Sequence, residues 1–255
     1  MESFVLHIVF HGELSWFLSR RNLEPELSLV RDRRASIKDI FESLGVPHTE
    51  VGQILCEGTP VDFHRIPTQD SRFDIHPVAP PLDVTCPTLL RPDPWKSVRF
   101  LVDDNVSRLT GLLRSVGLDA KHIKGAADTD LADIAEAQRR ILLSRDIELL
   151  KRKKILFGRF IRATQPYLQL KEVLTFFGLE GPYALFSRCF LCNIPIRPIP
   201  KATVLHRLKP ETRQYVDTLY TCPSCQKLFW HGPHCKAMLS RMAEVGINIT
   251  PHNVA

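Results

Sequence analysis

Four of the seven cysteines fall into two Cys-x-x-Cys pairs, Cys189/Cys192 and Cys222/Cys225. Thiolates at that spacing can be presented to one ion by a single turn, and two such turns complete a tetrahedron. The pattern predicts a structural zinc site closed by four sulfurs, worth on the order of 10 kcal/mol to the folding of the module that carries it. The 29 residues between the pairs are long for a compact finger but fit a ribbon with an insertion. A redox dithiol is the weaker reading, because neither pair opens a helix after a strand. Cys56 reads as a buried thiol and Cys86 as a thiol in a connecting segment. His231, His234 and Cys235 are reserve ligands should one of the four thiolates not be used.

No apolar run approaches the roughly 18 residues that a membrane helix needs. The start, Met1-Glu2-Ser3-Phe4, has no basic region ahead of its apolar stretch, which His7 and His11 interrupt. A cytoplasmic protein with reduced thiols is the expectation, which again favours metal over disulfide. The 255 residues allow two or three cores, and 44% hydrophobic with 24% charged residues is ordinary for a globular chain. Charge is unevenly spread. Residues 1–97 hold 10 Lys/Arg against 14 Asp/Glu, residues 98–180 hold 15 against 11, and residues 181–255 hold 9 against 3. A basic remainder behind an acidic first third points to a polyanionic partner for the former.

Residues 1–80 read as a small α+β unit. Phe4, Leu6 and Ile8 share one side of a first strand, a second covers Leu27 to Val30, and Ser36 caps a helix ending at Gly45. Short strands at 53–56, 59–62 and 72–77 follow, giving the element order of a β-grasp fold. The stretch from Ser36 through Gly52-Gln53-Ile54-Leu55-Cys56 resembles ubiquitin-like and sulfur-carrier domains. Carriers end in Gly-Gly, whereas here the last strand runs into Pro77-Val78-Ala79-Pro80-Pro81. A binding or packing module is therefore expected, with a protein partner as one use of it. The prolines at 77, 80, 81, 87, 92 and 94 predict a stiff linker over 81–97.

From Val98 to 180 strands and helices alternate: strands at 98–102, 119–123, 141–143 and 154–157, with helices at 106–116, 130–138, 147–152 and 167–177. That alternation predicts βαβ units and a parallel sheet covered on both faces. Ligands bind at the carboxyl ends of such strands. Asp103 and Asp104 follow the first strand, Asp128 and Asp130 precede the second helix, and Asp146 ends the third strand. Carboxylates gathered there would hold a hard cation, Mg²⁺ or Mn²⁺, able to activate water for phosphodiester hydrolysis. Helix capping is the local alternative for each of these aspartates, and Asp133 reads as solvated surface. A phospho-receiver also opens with an acidic pair, but no lysine stands at a fifth strand. Arg108 and Arg145 are candidate phosphate contacts. The run Lys151–Lys154 is placed at the opposite edge of the sheet.

Arg99-Phe100-Leu101-Val102-Asp103, the stretch Arg108 to Asp119 and Ile141-Leu142-Leu143-Ser144-Arg145-Asp146 together resemble a PIN-like nuclease. More closely, the chain resembles the Mut-seven C-terminal ribonuclease family, in which a PIN-like domain precedes a zinc ribbon and a ubiquitin-like domain often comes first. The resemblance implies an α/β parallel-sheet PIN-like domain over 98–180 with a zinc-ribbon module over 181–255, preceded by the β-grasp domain. It matches Asp103, Asp130 and Asp146 to the family's acids, with Asp128 beside them, and His234 to a conserved-pattern position after Trp230. Leu112 stands where a Trp is usual, Cys235 stands where an aromatic is usual, and no residue after Asp146 is assigned as the fourth acid that PIN nucleases generally have. The expected function is metal-dependent hydrolysis of RNA, with a zinc-held basic lid carrying Trp230 and His234 over the acidic rim. A non-catalytic RNA-binding or adaptor protein using the ribbon and basic surface is the alternative.

Overall fold

The computed structural model describes residues 3–249; Met1 and Glu2, on which the reading of the chain's start partly rests, lie outside the described residues. Strand β1 (Phe4–Phe10) alternates buried Phe4, Leu6, Ile8 and Phe10 with more open residues, the period of a strand buried on one face. Helix α1 (Ser15–Ser19) is too short to show a helical period and was not legible in the hydrophobic pattern. Strand β2 (Glu26–Arg31) pairs antiparallel with β1. Helix α2 (Ile37–Ser43) begins at Ser36, whose hydroxyl accepts from the Asp39 N–H at 3.1 Å and donates to its carboxylate at 2.7 Å. Strands β3 (Val51–Cys56), β4 (Thr59–Pro60) and β5 (Ser71–Pro77) complete a five-stranded sheet in the order β2-β1-β5-β3-β4. With β1 and β5 parallel and α2 packed across, this is the β-grasp arrangement.

The proline-rich segment after β5 forms no helix or strand, but it is packed rather than free. Val84, Leu90 and Trp95 are buried, and Arg91 is 2% exposed. The Arg91 guanidinium donates to the carbonyls of Leu156, Val51 and His48 at 2.9–3.1 Å, tying both larger sheets to this strap.

Next come β6 (Phe100–Val102), α3 (Arg108–Ser115), β7 (Ala120–His122), α4 (Asp128–Gln138), β8 (Ile141–Ser144), α5 (Ile147–Leu150), β9 (Gly158–Phe160) and α6 (Pro166–Phe176). The four strands are all parallel, in the order β7-β6-β8-β9. The expected fourth strand at 154–157 lies later in the chain. Lys151–Lys154 turn, and pairing starts only at Gly158, where a Cβ would fall 2.7 Å from Leu150 Cδ2. A glycine and an arginine in a three-residue strand disguise it from an apolar count.

On one face of this sheet, Phe100, Val102, Ile141 and Leu143 pack with α3, α6 and Met238 and Met242 of the last helix. On the other, Leu101, Leu142, Leu149, Leu150, Ile155 and Phe160 join one continuous cluster with Leu6, Ile8, Phe17, Ile40 and Phe41 of the β-grasp unit. The β-grasp unit thus supplies part of the cover that a parallel sheet needs on both faces. At the seam Glu50, fully buried, accepts from Arg159 Nη1 and from the Phe160 N–H, both at 2.7 Å. Burial works against the Arg159 charge, and Glu50, Glu13 and Glu172 outweigh it and hold the guanidinium above its usual range.

Three further strands, β10 (Arg197–Ile199), β11 (Leu219–Thr221) and β12 (Leu228–Phe229), form an antiparallel sheet. Between β10 and β11 lie α7 (Lys201–Val204) and α8 (Pro210–Tyr215), with a small core of Val204, Leu208, Val216 and Leu219. Helix α9 (Pro233–Glu244) closes the described chain. Among the described residues, no helix is long and apolar enough to cross a membrane.

Arg159→Ala leaves the buried Glu50 carboxylate without its main partner. Thermal or urea unfolding of the full chain should show a loss of about 3–5 kcal/mol; a change under ~1 kcal/mol would remove this ion pair from the account of the seam.

Candidate metal centre and acidic rim

The two cysteine pairs form matching knuckles. In the first, Cys189 N–H donates to Ile194 O at 2.9 Å and Asn193 N–H to Cys189 O at 3.0 Å. In the second, Cys222 N–H donates to Lys227 O at 3.1 Å and Gln226 N–H to Cys222 O at 2.9 Å. Each turn is closed by a residue in the left-handed region, Asn193 at φ 63° and Gln226 at φ 57°. The ligand atoms of all four cysteines lie within 4.8 Å of one another. Burial pushes the Cys189 thiol up to about 12. Burial also raises Cys222, but the N–H groups of Cys225 and Ser224 draw it down to about 7. Four sulfurs this close cannot all ionise without a cation between them, and a four-thiolate set is one that zinc accepts. The cluster could therefore hold a zinc ion, with no reserve ligand required from His231, His234 or Cys235.

The centre is docked at the amino edge of the parallel sheet. Asn193 accepts from the Ala120 N–H at 3.2 Å and donates to Asp119 at 2.6 Å, at the start of β7. Arg114, at the end of α3, donates to the carbonyls of Ala120 at 2.8 Å and Leu191 at 3.2 Å. Arg188 donates to Gly117 O at 2.8 Å. The strand-end aspartates lie at the other edge. The expected lid over the acidic rim is thereby corrected: the module is anchored where the strands begin. His234 is exposed at the start of α9, and no hydrogen bond or ion pair among the described residues joins it to the rim.

The rim itself is organised around Ser144. Its hydroxyl donates to Asp103 Oδ2 at 2.6 Å and accepts from the Asp146 N–H at 2.8 Å. Asn105 bridges the same two strand ends: its amide donates to Asp103 Oδ2 at 2.6 Å, and its oxygen accepts from the Arg145 N–H at 3.0 Å. Asp146 Oδ1 caps α5, accepting from Glu148 N–H at 2.8 Å and Leu149 N–H at 3.1 Å. Asp104 accepts from the Gly125 N–H at 2.6 Å and pairs with His122 Nε2 at 2.7 Å. The Gly125 N–H and then His122 hold the Asp104 carboxyl below its usual range.

Asp103 and Asp146 are thus joined through Ser144, and Asp130, expected to share an ion with them, makes no hydrogen bond or ion pair with either among the described residues. Among the described residues, the cysteines are the one group of three or more acidic, histidine or thiol side chains close enough to hold a metal. The reason is local. Helix α4 starts at Asp128, two residues earlier than expected, so Asp128 and Asp130 occupy its first turn, where exposed N–H groups favour carboxylates. Asp128 lies 3.7 Å from Arg152, and Asp130 is exposed. Asp133 is exposed as expected and pairs at the surface with Lys154 at 2.6 Å.

Arg145 does not reach out for phosphate as expected. Its Nη1 donates to the carbonyls of Ile161, Arg162 and Ala163 at 3.0–3.1 Å, bracing the loop after β9. Arg108 is exposed at the start of α3, on the same edge as Asp103. Ser144, Asn105 and His122 went unread in the sequence. The first two sit at the strand ends that the aspartates marked, so position could have found them; nothing local marks His122.

A family model described as Mut7-C RNAse domain matches residues 98–242. A second, described as Mut7-C ubiquitin, matches residues 4–83. No curated protein matches the chain.

Purified full chain should carry about one zinc per molecule by mass spectrometry or a chromogenic release assay. Cys222→Ser should abolish retention and lower the melting temperature. Full-length protein that folds equally well with no metal would refute the structural-zinc reading.

Proposed function

We propose that this chain, which belongs to the Mut7-C RNAse domain family, hydrolyses RNA phosphodiester bonds at the carboxyl edge of its four-stranded parallel sheet. The observation that supports this most is the joining of Asp103 and Asp146 through Ser144 at adjacent strand ends. Two half-buried carboxylates on one rim suit a hard ion such as Mg²⁺ or Mn²⁺, which is commonly held by one or two carboxylates and keeps several waters. Asp103 and Asp146 would hold it; Asp128 and Asp130, on the first turn of α4, would assist from further out. When bound, such an ion supplies charge neutralisation at phosphate and a water of lowered pKa.

The protein's own groups do the positioning. Ser144 and Asn105 fix Asp103 Oδ2 and the Asp104 N–H holds its Oδ1, while Asp146 Oδ2 has no hydrogen-bond donor among the described residues. Asp104, its carboxyl held below its usual range, orients the His122 imidazole on the same edge. Arg108 neutralises phosphate from the start of α3. The cysteine quartet has no open position and serves the fold, with zinc as its ion. A protein partner of the ubiquitin-like unit would meet its open sheet face, which carries His7, Ser28, Arg72 and Asp74, since the α2 side is committed to the seam.

That the cysteines are the one ligand cluster among the described residues favours a second reading, a non-catalytic RNA-binding or adaptor protein. Single-stranded and structured RNA incubated with the chain in Mg²⁺ or Mn²⁺ distinguishes the two. Asp103→Asn with Asp146→Asn should lower the cleavage rate about a hundredfold or more, the scale of a lost metal contribution of a few kcal/mol. Equal cleavage by parent and double variant would sink the enzyme reading. Salt-sensitive binding without cleavage in either metal would establish the second one.

A further inference from the structure

The ubiquitin-like unit reaches the acidic rim. Phe160, the last residue of β9, is the register partner of Ser144 on β8, so the two side chains stand one strand apart. Trp16 of α1 packs on Phe160, with ring centroids 4.9 Å apart. One turn on, Arg20 lies over the Trp16 ring at 5.0 Å and is exposed. Arg21 bridges to Glu148 at 3.6 Å, in the first turn of the helix that Asp146 caps. Both arginines are thus held beside the strand end that carries Ser144 and Asp146.

The second half of the surface comes from the basic run after α5. That helix is only four residues long, so the run begins one turn beyond Asp146. Lys151 is largely buried and pins the seam, donating to Glu42 O at 3.2 Å and pairing with Glu148 at 2.7 Å. Arg152 remains 40% exposed and lies 3.7 Å from Asp128, at the rim end of α4. Lys153 is exposed. The placement of this run at the far edge of the sheet is therefore corrected for Arg152. Against these five cations stand two carboxylates paired with them: Glu148, shared by Arg21 and Lys151, and Asp128, beside Arg152.

We propose, building on the ribonuclease reading, that single-stranded RNA reaches the acidic rim across the domain junction. Its phosphates lie on Arg20 and Arg21 of the ubiquitin-like unit and on Arg152 and Lys153 of the sheet unit. The ubiquitin-like unit is then a wall of the substrate path. A positive band beside a negative rim suits a polyanion whose scissile phosphate alone meets the carboxylates. Contacts to phosphate make the path indifferent to sequence. The exposed Lys236 and Arg241 of α9, on the cysteine-bearing module, are not part of it.

The test measures anisotropy of a labelled single-stranded RNA with the full chain, without added Mg²⁺ or Mn²⁺, the RNA being checked intact on a gel. Arg20→Ala with Arg21→Ala, and separately Arg152→Ala with Lys153→Ala, should each weaken binding about tenfold near 0.1 M salt. Each should also flatten the log–log salt slope by about 1.4, from ~0.7 per phosphate contact on a single strand. Lys236→Ala with Arg241→Ala, on the exposed face of α9, should stay within about twofold of the parent. Equal melting temperatures show that the changes are local. Parent-like binding by both junction pairs, an equal loss in the α9 pair, or no salt-sensitive binding by the parent overturns the path. Absence of cleavage in added Mn²⁺, with the junction pairs still weakening binding, sinks the enzyme reading and leaves the path standing.

Discussion

Glu50 lies between two sheets with no exposure to solvent. Removing a carboxylate from water costs several kcal/mol, so it is tolerated only where partners replace the lost hydration. Here Arg159 and the Phe160 N–H do so from the last strand of the parallel sheet, while the strap residue Arg91 satisfies carbonyls on both sides. The apolar surface around this network runs without a break from Leu6 and Phe41 to Leu101 and Leu142. What flanks the rim depends on that seam. It sets α1 against β9, and it decides that the open end of the sheet is flanked by residues of the ubiquitin-like unit.

The two edges of the parallel sheet have different chemistry. At the amino edge, Arg114, Arg188 and Asn193 fasten a cysteine centre to the end of α3 and the start of β7 through neutral carbonyls and Asp119. At the carboxyl edge, short hydrogen bonds among Asp103, Ser144, Asn105 and Asp146 bind adjacent strand ends into one unit. A small domain gains from the division. An ion taken by the thiolates at one edge would not compete for the carboxylates at the other, because soft sulfur and hard oxygen donors select different ions.

Much of the fold was legible because it rests on local periodicity. Phe4, Leu6 and Ile8 at spacing two, and Ile37, Ile40 and Phe41 at helical spacing, are buried as read. The alternation of apolar strands with helices after Val98 led directly to a parallel sheet. The misreadings have physical causes too. Arg159 hid β9 because its charge is matched by residues more than a hundred positions away. The proline-rich stretch reads as a stiff linker, and Trp95 and Leu90 within it are buried in contacts that composition cannot show. Asp130 stands at a helix start as read, although α4 begins at Asp128, two residues before the expected start.

The sequence by itself determined the cysteine quartet, the strand-end aspartates, the parallel α/β plan and the β-grasp order ahead of it. Each of these depends on spacing within a few residues, where one turn or one strand fixes the geometry. Only the tertiary structure decided which edge of the sheet the cysteine centre occupies, that Ser144 joins Asp103 to Asp146, and that Arg20 and Arg152 flank the same rim. Those relations depend on how sheet faces pack across long stretches of chain. Apolar surface is non-directional and can be buried in many ways. The pairing is made unique by a few buried polar contacts, Glu50 with Arg159 foremost, whose partners no local pattern announces.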